Sequence, residues 1–133
     1  MGRRSSEFPT PLELEILKVL WERSPLPVRD VQEALASGRA RRQLSYSSVI
    51  TVMNIMVGKQ FLERQKQGKA FFYHPAISRK RVHRGVLADL LDRVFDGSPK
   101  AMLLELLDTA DIDENELEEL RRLVQRESGG ESP

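Results

Sequence analysis

The side chains best suited to chemistry in this sequence cluster at Ser47, Ser48, Thr51 and Asn54. Short hydroxyls and an amide, with no paired base or nucleophile beside them, suit the reading of base edges rather than the breaking of bonds. At about 100° per residue, Ser47, Thr51, Asn54 and Gly58 gather on one helix face, and Val49, Val52, Met53 and Met56 on the opposite one. Ile50 and Ile55 flank the polar face, with no obvious place in a core. The major groove of B-DNA admits one such helix. There Asn54 matches the two-point edge of adenine, Ser47, Ser48 and Thr51 match bases or phosphates, and Ile50 matches a thymine methyl. Thr51, at the centre of the face, is the first candidate for a base contact.

Candidate phosphate contacts surround that helix: Arg29, Arg41 and Arg42 before it, and Arg64, Lys66 and Lys69 after it. Tyr46, at the helix start, has two readings, a hydroxyl donated to the DNA backbone or an aromatic ring filling the core. The charge distribution points the same way. Residues 1–84 hold 16 Lys+Arg against 7 Asp+Glu, a net +9, whereas residues 85–133 hold 5 against 13, a net −8, consistent with the overall +1. A basic module whose partner is a polyanion is thus joined to an acidic module with another task.

Other chemistries find little support. Cysteine is absent, which excludes disulfides and thiolate catalysis, and His74 and His83 are too few for a zinc site. The carboxylates at Asp89 and Asp92, and those between Asp111 and Glu119, fall on helix faces expected to be exposed rather than in a pocket that would tune a base. A protein without cofactor, metal or enzymatic activity is expected. No apolar run reaches the roughly 18–20 residues that cross a bilayer, and the basic start Met1–Ser6 is not followed by an apolar stretch, so no secretory signal is read and a cytoplasmic location is expected.

The elements that must position these residues follow from capping and periodicity. Thr10-Pro11 starts a first helix that carries Leu12, Ile16, Val19 and Leu20 to about Glu22. Ser24-Pro25-Leu26-Pro27 breaks it, and Val28, Val31, Ala34 and Leu35 mark a short second helix ending before Gly38. A basic, structureless loop 38–43 leads to the third helix, which starts near Ser45–Ser47. Residues 61–65 and 70–74 read as two strands joined by the turn Lys66-Gln67-Gly68-Lys69. Three helices and a hairpin, in that order, make a winged helix-turn-helix domain.

Beyond it, Ser78 opens a helix carrying Val86, Leu87, Leu90, Leu91, Val94 and Phe95. Ser98-Pro99 opens another with Met102, Leu103, Leu106 and Leu107, and Asp113–Glu116 resembles a capping box before Leu117, Leu120, Leu123 and Val124. Helices this short cannot bury so many leucines by themselves, so the stripes call for a partner, and a second copy of the chain is the economical one. The expected organisation is a mainly α protein: a disordered tail 1–9, a winged-helix domain 10–77, a helical dimerisation domain 78–127 and a disordered tail 128–133.

Four segments carry a family resemblance. They are Leu12–Leu17 with Leu20-Trp21, Val28–Val31, Leu44–Asn54 and Gly68–Pro75. The chain resembles the penicillinase repressor family (BlaI/MecI type) over about residues 10–127. The resemblance implies a homodimeric transcriptional repressor that binds double-stranded palindromic operators with a TACA/TGTA core. It also implies an antibiotic response, in which a membrane-bound sensor protease responding to β-lactam relieves repression by cutting the C-terminal helices. The matching cleavage region falls at Glu105-Leu106, which differ from the residue types expected there. Relatives usually carry Arg-Leu after the asparagine and a glycine after the following lysine. This chain has Ile55-Met56 and Gln60, so an arginine contact to the backbone is missing at Ile55 and Gln60 must end the third helix without glycine's freedom at positive φ. The clustered C-terminal cysteines of the copper-responsive branch are absent. The competing reading is a winged-helix adaptor that binds protein, against which the basic loop and wing argue.

Overall fold

The computed structural model describes residues 8–131. Six helices and one hairpin follow in the order α1 (Pro11–Glu22), α2 (Val28–Ser37), α3 (Tyr46–Gly58), β1 (Leu62–Gln67), β2 (Ala70–Pro75), α4 (Arg79–Phe95), α5 (Pro99–Thr109) and α6 (Glu114–Glu131). The expectations for residues 1–7 and 132–133 lie outside the described residues. The chain divides into two compact units between Ala88 and Asp89, within α4 rather than at residue 77.

The first unit is built on caps and one core. The Thr10 hydroxyl accepts from the Glu13 amide at 3.2 Å while Glu13 Oε1 accepts from the Thr10 amide at 2.9 Å, a reciprocal box that satisfies two otherwise orphaned donors at the start of α1. Ile16, Leu17 and Leu20 of α1, Val28, Val31 and Leu35 of α2, and Val49, Met53 and Met56 of α3 are buried together with Phe61, Leu62, Tyr73 and Val82. Each large apolar side chain removed from water contributes about 1.5–3 kcal/mol, and this cluster fixes the angle at which α3 is presented. Val52 is half-buried against it. Ile50 also packs on the core, contrary to the reading that it had no place there, because it lies at the edge of the stripe set by Val49 and Met53. Ile55 does remain 49% exposed.

The hairpin is tighter than the sequence suggested. β1 and β2 pair antiparallel from Leu62↔Pro75 to Gln67↔Ala70, so Lys66 and Gln67 belong to the strand and only Gly68 and Lys69 turn the chain. Gly68, at φ +65°, is the first residue of that turn, where glycine costs no steric strain. Polar composition hid the last strand residues, since all of β1 beyond Leu62 is exposed and shows no burial alternation. Leu26 adds a third rung: its amide donates to Tyr73 O at 3.0 Å and its carbonyl accepts from the Tyr73 amide at 2.8 Å. The loop expected to be structureless is likewise pinned. Arg41 N donates to Gly38 O, Arg42 N to Leu35 O, and Gln32 Nε2 to Leu44 O, because the backbone groups leaving α2 need partners.

At the N-terminal edge the Phe8 ring lies against Gly85, about 3.1 Å from where a Cβ would stand, so Phe8 is not part of a free tail. Trp21 Nε1 donates to Ile77 O at 2.9 Å, which ties α1 to the segment entering α4.

In the second unit, Ser98 caps α5 through the Ala101 amide at 3.1 Å. Asp113 caps α6 by accepting from the Glu116 amide at 2.8 Å, with Glu116 Oε1 reaching back to Asp113 N at 3.5 Å. α6 continues through residues 128–131, read from sequence as a tail. The helix runs on across Gly129-Gly130 although each glycine costs about 1 kcal/mol in a helix interior, and no proline stands between Pro99 and Pro133 to stop it.

Candidate nucleic-acid interface

The site is the outer face of α3 with the hairpin beside it. Ser45 caps the helix, its hydroxyl accepting from the Ser48 amide at 3.1 Å, and that oxygen also lies 3.0 Å from Ser48 Oγ and 3.3 Å from Ser47 Oγ. Three hydroxyls and the free amides of the first turn therefore meet at one helix N-terminus, where the helix dipole favours an anion. Tyr46, at the first helical position, is 48% exposed, which sets its core-filling reading aside.

Ser47, Ser48, Thr51 and Asn54 are all exposed, whereas Val49, Met53 and Met56 behind them are fully buried. The Thr51 hydroxyl donates to Ser47 O at 2.8 Å, so its proton is used within the helix and its methyl and lone pairs are left to face outward. Ile50 is half-buried and offers the face only part of its side chain. Asn54 Oδ1 accepts from Arg64 Nη1 at 2.7 Å and from the Tyr73 hydroxyl at 2.9 Å, which joins the helix to both strands.

The cations divide by environment. Arg29, Arg41, Lys66 and Lys69 are exposed. Arg42 is half-buried, and its Nε is buried without a hydrogen-bond partner. Arg64 is exposed but engaged, with its guanidinium 4.5 Å from the centre of the Phe71 ring as well as on Asn54. Register puts Arg64 and Lys66 with Phe71 and Tyr73 on one face of the hairpin, and Glu63 opposite His74, 2.9 Å away, on the other.

Two positioning groups were not singled out from sequence. Tyr73 is wholly buried and carries the hydroxyl that orients Asn54. Glu13, 3% exposed, receives Lys59 Nζ at 2.8 Å on its second oxygen. Lys59 is the C-cap of α3, so this ion pair sets the far end of that helix. A capping box at Thr10-x-x-Glu13 was the available signal for Glu13; nothing local marks Tyr73.

Of the side chains expected to face a partner chain, Val86, Leu87, Leu90, Val94, Leu103, Leu106, Leu120, Leu123 and Val124 are exposed in the single chain, as are Leu104 and Leu107. Leu91, Phe95 and Leu117 are half-buried. Glu105 and Leu106 lie inside α5, both exposed. Among the described residues no group of acidic, histidine or cysteine side chains could hold a metal ion, and no helix is long and apolar enough to cross a membrane.

A helix-turn-helix pair followed by a two-stranded wing, with small polar side chains along the outer face of its third helix, defines a winged-helix protein with an added helical region. The family model described as "Penicillinase repressor" matches residues 9–126, and the chain belongs to that family. It is similar to the "Transcriptional regulator BlaI" of Mycobacterium tuberculosis, 34% identical over 121 residues that cover 89% of this chain and 84% of that protein. The "Penicillinase repressor" of Bacillus licheniformis is 25% identical, covering 85% of this chain and 86% of its own length. The "Methicillin resistance regulatory protein MecI" of Mammaliicoccus sciuri is 20% identical, over 86% and 90%. These relatives bear the names of regulators, not of enzymes.

Proposed function

We propose that this chain is a transcriptional repressor that binds a palindromic operator as a homodimer, with α3 in the major groove and the hairpin over the flanking phosphates. The observation that carries the reading is the division of α3. Val49, Met53 and Met56 are held at zero exposure while Ser47, Ser48, Thr51 and Asn54 stand in solvent on the other side. Base contacts come from Ser47, Ser48, Thr51 and Asn54, with a partial one from Ile50. Phosphate contacts come from Arg29, Arg41, Lys66, Lys69 and the Tyr46 hydroxyl, together with the half-buried Arg42 and with Arg64, which is engaged in part on Asn54 and Phe71.

The exposed leucines and valines of α4, α5 and α6 supply the dimer contact, and a two-fold pair of α3 helices meets half-sites about one helical turn apart. The names of the relatives support the repressor role. A repressor of this kind works in the cytoplasm, beside the DNA. Where a sensor protease relieves repression, the cut falls at Glu105 or Leu106, and because both lie within α5 that helix must open locally first.

Mobility shift with a genomic fragment pool, competitor DNA and rising salt tests the reading. With about five phosphates neutralised per subunit, affinity for the retained fragments falls with a log–log salt slope of about −9. Retention that competitor DNA abolishes equally for every fragment would favour the protein-binding adaptor instead.

A further inference from the structure

Asn54 is held in one orientation. Its Oδ1 accepts two hydrogen bonds, from Arg64 at 2.7 Å and from Tyr73 at 2.9 Å, so both carbonyl lone pairs are occupied. Arg64 settles which end of the amide is which. A guanidinium has donors only, and a flipped amide would set N–H groups against it.

Each partner has a further contact of its own. Tyr73 is wholly buried and its backbone is bonded to Leu26, while Arg64 is stacked on Phe71. Nδ2 has no hydrogen-bond partner among the described residues, and Asn54 is exposed. The side chain therefore offers outward two N–H donors and no acceptor.

Two-point pairing with adenine requires the amide oxygen to accept from N6 while Nδ2 donates to N7. That oxygen is occupied here. An amino group brought up to Nδ2, whether N6 of adenine or N4 of cytosine, would meet donor against donor. Guanine is the one base with two neighbouring acceptors, O6 and N7, on its major-groove edge.

We infer that Asn54 is a donor-only reader that selects a guanine in each half-site, with Arg64 and Tyr73 as the positioning residues that deny it adenine. The inference rests on the DNA-binding reading above, and it replaces the adenine pairing expected from the residue type alone.

The test is selection from a pool of duplexes randomised over about three helical turns, using the full chain and its variants N54A and R64M/Y73F. N54D keeps an acceptor for Arg64 and Tyr73 and stands in for N54A should that variant fail to fold; Y73F alone does so for the double variant. The wild type is expected to enrich a palindrome. N54A is expected to erase the preference at one symmetric position, where the wild type had chosen a G·C pair over A·T by about tenfold. R64M/Y73F, with the oxygen released, is expected to admit A·T there. An A·T pair at the position that N54A erases would overturn the inference, as would an N54A profile unchanged at every position or continued exclusion of A·T by the released variant. A pool from which the wild type enriches nothing would overturn the DNA-binding reading itself.

Discussion

Lys59 Nζ lies 2.8 Å from Glu13 Oε2, so the last turn of α3 is anchored to the first turn of α1. The same carboxylate closes the capping box with Thr10. One acidic side chain thus fixes where α1 begins and where α3 ends.

Replacing Glu13 with alanine removes both roles and leaves the Lys59 ammonium without its partner. The expected loss is about 2 kcal/mol, below that of a fully enclosed pair because the Lys59 side chain is 24% exposed. Urea denaturation measures it. DNA preference in the folded protein should not change, because neither group lies on the outer face of α3.

Gln60 follows the Lys59 cap at φ +68°, its amide donating to Val57 O at 3.0 Å and the Phe61 amide to Met56 O at 2.9 Å. This double closure normally takes glycine, since a Cβ is strained in the left-handed region. Gln60→Gly should therefore raise stability by about 1 kcal/mol, read as a higher urea midpoint with the same slope. A lower midpoint would show that the glutamine side chain contributes more than its backbone strain costs.

Thr51→Ala removes outward lone pairs and a methyl, and should weaken operator binding by about 1–3 kcal/mol while relaxing sequence preference. Lys66→Ala should weaken every sequence alike and reduce the salt slope by about 1. Binding isotherms on matched and mismatched duplexes at several salt concentrations separate the two. Equal, sequence-independent losses would contradict the groove assignment.

Leu90 and Leu120 are 39% and 40% exposed in the single chain. Aspartate at either should leave thermal unfolding of the winged-helix unit unchanged while giving a monomer in analytical sedimentation and abolishing tight operator binding. A monomeric variant with normal affinity would remove the acidic half from the mechanism.

Much of the architecture was legible because it is written in local signals. Thr10-Pro11, Ser98-Pro99 and Asp113-x-x-Glu116 state helix starts within four residues of chain, and Val49, Met53 and Met56 show the buried side of α3 by spacing alone. What depends on distant partners was not legible. Asn54 and Tyr73 are 19 positions apart, and the Leu26 rung joins a proline-flanked break to the wing. Neither link follows from a periodicity, so the orientation of the central amide could not be read from the sequence. The length of β1 was missed for a different reason: a strand with one buried residue gives no alternation to read.

The wing is gripped at one end only. Around Tyr73 it is bonded to Leu26, Asn54 and the opposite strand, yet from Glu63 to Phe71 every residue stands in solvent. The hairpin is thus anchored where it meets α3, and its turn at Gly68 stands in open space. Under the proposed DNA reading, Lys66 and Lys69 at that tip meet phosphates while Asn54 at the anchored end meets a base, so positioning and sequence choice fall to different parts of one helix and hairpin.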